Sequence, residues 1–261
     1  MKILITNDDG ISSRGIKALW ELALEFASEV LVVAPNKGYS GMSHAITMDT
    51  PIFVDQLRDQ TLDNGKRLML YSCSGSPVDC VKIALDEIWR DTLPDMVLSG
   101  INHGSNSNIS VLYSGTMGAA TEGALYQIPS IGFSLCTHNT EASLDATIHY
   151  ARKIIKKALT LPPLTPTLCW NVNIPNIPHT QINGIKFTRQ TMGLWREDFM
   201  HNRDPRGRDY YWMNGHFYSG EPEAQDCDMY WLGQGYITIL PVMMDMTNHK
   251  FLAEYGTQFE Q

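Results

Sequence analysis

Two adjacent carboxylates, Asp8 and Asp9, follow a short apolar run and precede Gly10. Neighbouring acids repel each other unless a cation sits between them or one takes up a proton. Three other stretches concentrate hydroxyls, amides and glycines: Tyr39-Ser40-Gly41-Met42-Ser43, Ser99-Gly100-Ile101-Asn102-His103-Gly104-Ser105-Asn106, and Tyr113-Ser114-Gly115-Thr116. Two carboxylates, a hydroxyl and an amide carbonyl make an all-oxygen set, which suits Mg²⁺ or Mn²⁺ rather than a soft metal. Ser114-Gly115-Thr116 opens a helical pattern. It offers free backbone N–H groups, two hydroxyls and the positive end of a helix dipole, which is an anion site. Each piece alone has a plainer meaning: Asp-Asp-Gly is an ordinary turn, and Ser114 an ordinary N-cap.

What decides between these meanings is the set of elements that must position the residues. Lys2 to Thr6 reads as a buried strand, Gly15 to Phe26 as a helix, and Val30 to Ala34 as a second strand, which makes a βαβ unit. Further strands are expected at Arg67–Ser72, Met96–Ser99 and Ser130–Ser134, and helices at Ser76 to about Trp89, Gly115–Gln127 and Ala142–Leu159. Ser76-Pro77-Val78-Asp79 supplies an N-cap, a Pro at N1 and an acid at N3. This alternation predicts an α/β fold with a doubly wound, mostly parallel (Rossmann-like) sheet. In such a sheet ligands bind beyond the carboxyl ends of the strands, where all four polar stretches fall.

The pattern changes after Pro162-Pro163. Residues 1–163 are expected to form the catalytic core, and 164–261 a β-rich extension used in oligomerisation. Strands are expected there at Leu168–Ile174, Ile182–Thr188 and Tyr236–Leu240, and a closing helix at Thr247–Tyr255. The stretch Gly193–Gly235 reads as polar, aromatic and rich in turns.

Composition narrows the function classes. Of 261 residues, 43% are hydrophobic and 18% charged, as in an ordinary globular protein. The net charge of −8 and the absence of a basic run argue against binding duplex nucleic acid. No apolar run reaches the ~18–20 residues that cross a bilayer. The opening residues read as a strand rather than a leader, and five scattered cysteines show no CxxC pair, so a cytoplasmic location is expected. Neither GxGxxG nor GxxxxGK[ST] is present.

Taken together and in order, the motifs resemble the SurE family of survival-protein nucleotidases. The resemblance rests on Ile3-Leu4-Ile5-Thr6-Asn7-Asp8-Asp9-Gly10, Ser40-Gly41-Met42-Ser43, Gly75-Ser76-Pro77-Val78-Asp79-Cys80-Val81, the Ser99–Asn106 stretch, Tyr113–Thr116 with Glu122-Gly123, and Asn171-Val172-Asn173-Ile174-Pro175. Asp204-Pro205-Arg206-Gly207 and Gly235–Pro241 extend it over nearly the whole chain. The resemblance implies one divalent ion per subunit (Mg²⁺, Mn²⁺ or Co²⁺) held by Asp8, Asp9, Ser40 and Asn102. It implies phosphate contacts from Gly41, Ser43, Asn106, Ser114, Gly115 and Thr116. It further implies hydrolysis of nucleoside 5′- and 3′-monophosphates and short polyphosphate, in a homodimer or homotetramer that exchanges C-terminal segments. Ser12-Ser13-Arg14, Lys37-Gly38-Tyr39 and Met229-Tyr230-Trp231-Leu232 depart from the family's usual pattern, away from the implied ligands.

On this reading Asp8 and Asp9 are the catalytic pair, with Asp8 the general base and Asp9 able to exchange roles with it. Tyr39, Trp195 and Tyr210-Tyr211-Trp212 are candidates for stacking on a base, the last cluster being the better fit to a subunit contact. His44 and His103 read as solvated loop histidines, with donation to phosphate as the alternative for each. A response-regulator receiver would need a strand-ending phosphoacceptor Asp, and a haloacid-dehalogenase-type phosphatase a second Asp two positions on. Neither pattern is present. The alternative from another class is a regulatory protein that binds nucleotide and metal without hydrolysis.

Overall fold

The computed structural model describes residues 1–164 and 166–258. A nine-stranded sheet forms the centre. Its strands are β1 (Lys2–Thr6), β2 (Glu29–Pro35), β3 (Val54–Thr61), β4 (Arg67–Cys73), β5 (Met96–His103), β6 (Ser130–Cys136), β7 (Cys169–Pro175), β8 (Ile185–Phe187) and β11 (Ile237–Pro241). Their order is β3-β4-β2-β1-β5-β6-β7-β11-β8. The six strands β4, β2, β1, β5, β6 and β7 run parallel, while β3 and β11 pair antiparallel to β4 and β7. The expected doubly wound α/β sheet is therefore present, as a mixed one. Residues beyond 163 contribute β7, β11 and β8 to this same sheet. The remaining strands, β9 (Gly193–Arg203) and β10 (Asp209–Ser219), pair with each other as a hairpin.

The apolar strands are buried on both faces because helices cover both. Ile3 and Ile5 of β1 pack with Ile16 and Leu19 of α1 (Arg14–Ala23) and with Ile154 and Ile155 of α4 (Asp145–Ala158). Leu4, from the alternate face, packs with Cys80 and Val81 of α2 (Pro77–Ile83) and Ala119 of α3 (Gly115–Leu125). This is the two-residue period of a strand resolved into two layers. Helices α1, α2 and α3 each begin where side-chain chemistry satisfies free N–H groups. Ser13 accepts from Ile16 N, Ser76 and Asp79 form a reciprocal capping box, and Ser114 accepts from Met117 N. After Ile83 the helix continues to Ile88 as a π-helix.

Three elements differ from expectation. β3 is an edge strand exposed along almost its whole length, so it lacks an apolar pattern; its signal was the Asp63-Asn64-Gly65 turn before β4. The β9–β10 hairpin is built of polar and aromatic residues that bury little, and Asp204–Gly207 make its turn. Short helix α5 (Asp228–Gly233) lies in the stretch read as loop, and α6 (His249–Tyr255) is the closing helix.

β1 is the pivot of the topology. The chain leaves it for β2 on one side and later returns for β5 on the other, so the switch point lies between β1 and β5. Gly15, at the start of α1, meets the β5 backbone so closely that a Cβ would collide with the carbonyl of Ile101. Gly15→Ala is expected to lower stability by roughly 1–3 kcal/mol in urea unfolding, because both partners are backbone and neither can yield. A midpoint equal to wild type would contradict that packing.

Candidate active site

Asp8 and Asp9 leave the carboxyl end of β1, and Asn102 and His103 end β5, so the two sets flank the switch point. Asp8 is buried. Its Oδ1 accepts a 2.6 Å hydrogen bond from the Thr116 hydroxyl. Asp8 thus occupies the positive end of α3 itself. Gly115 permits this approach: a Cβ there would lie 2.9 Å from Asp8 Cβ and 3.1 Å from Oδ2. Burial raises the Asp8 pKa to about 6 and the Asp9 charge adds to that, against the lowering by Thr116. Asp9 is half-buried, and its Oδ2 accepts from His103 N at 3.2 Å.

The acid pair fits a hard cation. Among the described residues its ion-pair partner is His103, with Nδ1 3.5 Å from Asp9 Oδ2. No three His, Cys, Asp or Glu side chains gather among the described residues, so a cation here needs neutral oxygen donors besides the two acids. Asn102 donates through Nδ2 to Gly104 O at 2.8 Å, and its Oδ1 accepts from no described residue. Ser40 and Gly41 form the exposed tip of a loop that begins where Tyr39 N donates to Asp8 O at 2.8 Å. Ser43 donates from N to Tyr113 O and from Oγ to Leu112 O, which brings this loop beside the start of α3. Ser114 is spent on capping, whereas Gly115 is the first residue of the helix.

Asn106 sits in a buried amide network. Its Nδ2 donates to Ser134 Oγ, its N to Asn173 Oδ1, and its carbonyl accepts from Asn171. The Asn171-Val172-Asn173 motif of β7 thereby holds the 104–108 loop from below. Asp228, fully buried, accepts from Asn108 N, from Thr191 N and Oγ1 and from Met229 N. It ties that loop to the residues preceding the β9–β10 hairpin. Sequence reasoning did not select Asp228 or the Thr116–Asp8 bond. Both join residues more than a hundred positions apart, and local pattern carries no such information.

The aromatic candidates separate. Tyr39 is fixed by a bond from its OH to Ser74 O, and Trp195 Nε1 donates to Ser110 Oγ beside the 3₁₀ turn Asn108–Leu112. Tyr210, Tyr211 and Trp212 pair with Asn202, His201 and Met200 within the hairpin. His103 is buried, with Nε2 unpartnered among the described residues, and so is not a solvated loop histidine. His44 is partly exposed and bonded to Glu122.

The fold and this rim define a doubly wound α/β protein whose acid pair and helix start converge at the switch point. The family model described as "Survival protein SurE" matches residues 3–197. The 5′-nucleotidase SurE of Christiangramia forsetii is 44% identical over 255 residues, covering 98% of this chain and 95% of that protein. That of Cytophaga hutchinsonii is 43% identical over 258 residues, covering 99% and 96%. The crystal structure of the SurE protein from Aquifex aeolicus superposes with a TM-score of 0.78 at 33% identity, covering 99% of this chain and 100% of that one. The chain belongs to the SurE family.

The raised pKa of Asp8 has a stability consequence in metal-free protein. Between about pH 4 and 6 the folded state keeps a proton that the unfolded chain releases, so stability falls as pH rises through that window. The loss is on the order of 2–3 kcal/mol at pH 7.5. Metal-free Asp8→Asn is expected to melt higher than wild type at pH 7.5 and alongside it at pH 4. A variant that melts lower at pH 7.5 would contradict the burial of an unneutralised carboxylate.

Proposed function

We propose that the protein is a divalent-metal-dependent nucleotidase that hydrolyses nucleoside 5′-monophosphates to nucleoside and phosphate. The observation that carries this reading is the buried Asp8 carboxylate beside Asp9 at the N-terminus of α3, a charge arrangement that calls for a cation. Relatives covering nearly the whole chain are named 5′-nucleotidase SurE. Nucleoside 3′-monophosphates and short polyphosphate are proposed as further substrates, since the same chemistry applies to them.

Asp8, Asp9, Ser40 and Asn102 are the proposed holders of one Mg²⁺, Mn²⁺ or Co²⁺. Such an ion, when bound, neutralises phosphoryl charge and makes water more acidic. Gly41, Ser43, Asn106, Ser114, Gly115 and Thr116 are assigned to the phosphate, where the N–H groups at the start of α3 and the Asn106 amide meet the charge that spreads over its oxygens in the transition state, while Ser43 and Thr116, whose hydroxyls donate to Leu112 O and Asp8, shape the cradle. Water attacks phosphorus in line, the ester P–O bond breaks, and the nucleoside oxygen leaves and takes a proton. Asp8 or Asp9 accepts the proton from the attacking water. The Thr116 hydroxyl orients Asp8 for this task, and the buried Asn106–Asn173 contact holds the 104–108 loop still. We assign residues 1–163 to the catalytic core. Residues 164–261, with the exposed aromatic hairpin and the exposed apolar side chains of α6, are assigned to a homodimer or homotetramer contact. No described helix is long and apolar enough to cross a membrane, and a cytoplasmic location is proposed.

A panel of nucleoside monophosphates assayed with each divalent ion and with chelator tests the reading. Phosphate release that needs the ion is expected. Asp8→Asn and Asp9→Asn are each expected to lower kcat by at least ~10²-fold. Tight nucleotide binding without phosphate release would instead support a regulatory binding protein, and full turnover in both folded variants would remove the acid pair from the chemistry.

A further inference from the structure

Helix α3 reads Gly-Thr-Met-Gly-Ala-Ala-Thr-Glu-Gly-Ala-Leu, so Glu122 is the lone acid among small and apolar residues. It is 3% exposed. A carboxylate in such a place is costly unless paired. Glu122 is paired on both oxygens: Lys82 Nζ of α2 lies 2.5 Å from Oε1, and His44 Nε2 lies 2.7 Å from Oε2. Burial works to raise its pKa, but the bonds from His44 and Lys82 outweigh that and hold it below the ordinary carboxylate value. The other ring nitrogen of His44 is 3.0 Å from Thr121 Oγ1 on the same helix.

His44 closes the loop that carries Ser40. Ser40 and Gly41 make no hydrogen bond to any described residue, so their position rests on the loop's two flanks. One flank is Tyr39, bonded to Asp8 O. The other is Ser43 and His44. Ser43 has a φ of +54°, a left-handed conformation that a residue with a Cβ does not hold without support. Its support comes from its two bonds to the 108–113 turn and from the space above Gly118, where a Cβ would collide with the Ser43 carbonyl. Ser76 Oγ, donating to Ala45 O at 2.6 Å, steadies the exit from the loop.

We infer that Glu122, gripped by Lys82 and bonded to His44, is a positioning residue that clamps the Ser40–Ser43 loop onto α3 so that Ser40 faces the acid pair. This rests on the assignment of Ser40 as a metal ligand under the proposed function. α3 then sets two things at once: its first turn orients Asp8, and its third turn holds the loop that completes the cation's shell. The role differs from plain helix packing, because loss of the clamp frees the loop without removing any atom from the sheet's core.

Titration of metal-free protein with Mn²⁺, followed by calorimetry and by the electron paramagnetic resonance of free Mn²⁺, tests the clamp without relying on turnover. His44→Ala is expected to weaken Mn²⁺ binding by about 10-fold or more, as is typical when a group supporting a ligand is lost. The metal concentration for half-maximal phosphate release should rise by the same factor, while kcat at saturating metal changes about two-fold or less. His44→Gln, whose amide can still donate to Glu122, should recover most of the affinity. Gly118→Ala pushes on Ser43 without altering any charge and should weaken Mn²⁺ binding too. Wild-type Mn²⁺ affinity in folded His44→Ala and Gly118→Ala overturns the clamp, as does a loss in His44→Ala that Gln does not rescue and that tracks a lowered melting temperature. If wild type itself takes up no Mn²⁺, the metal assignment falls and the clamp with it. If wild type binds Mn²⁺ and both variants match it, only the clamp falls.

Discussion

Asp8 lies just beyond a strand whose core-facing side chains are sealed between two helical layers, and its carboxylate is almost wholly withdrawn from bulk water. What it has instead is the first turn of α3, the Thr116 hydroxyl and a second acid next door. Those contacts only partly offset the cost of burial, and that residual imbalance is what a divalent cation would relieve. Much of the surrounding architecture serves to keep this unfavourable arrangement in place. Gly115 lacks a side chain so that Asp8 can approach the helix, and β1 lies at the switch point so that β5 delivers Asn102 and His103 to the same rim.

Helix α3 emerges as the organiser of the site. It has almost no polar face, because it is covered by the sheet, by α2 and by the Ser40–Ser43 loop. Its glycines mark the closest approaches: Gly118 to the loop and Gly123 to Val97 of the sheet. A helix buried all round normally carries no charge, so the Glu122 carboxylate stands out as a device rather than as a solubilising group. The second support is the amide network of Asn106, Asn171 and Asn173, continued by Asp228. In a low-dielectric interior a fully satisfied network of this kind fixes a loop more firmly than apolar packing, because each donor has a specific partner.

The site is thus assembled from four separate stretches of chain, while the hairpin β9–β10 stands apart with most of its aromatic side chains exposed. Its link to the rest runs through Trp195 to Ser110 and through Thr191 to Asp228. Both contacts reach the turn and loop next to Asn106. The geometry therefore places the hairpin's root, not its tip, beside the 104–108 loop.

Patterning alone determined the parallel strands, the four core helices and the caps at Ser76 and Ser114, since burial on both faces and N-cap chemistry leave local signatures in residue type and spacing. Asp8, Asn102 and Thr116 were also legible, because polar residues at the ends of buried strands and at a helix start are out of place in a core. The edge strand β3 and the hairpin were not, because strands that bury little have no apolar alternation to read. Only the tertiary structure decided that Thr116 turns to Asp8, that His103 is buried beside Asp9, and that Glu122 grips His44 and Lys82. These pairs are separated by 40 to 108 positions along the chain. Such bonds depend on which elements the sheet order brings together, and no residue records its distant partner in its own neighbourhood.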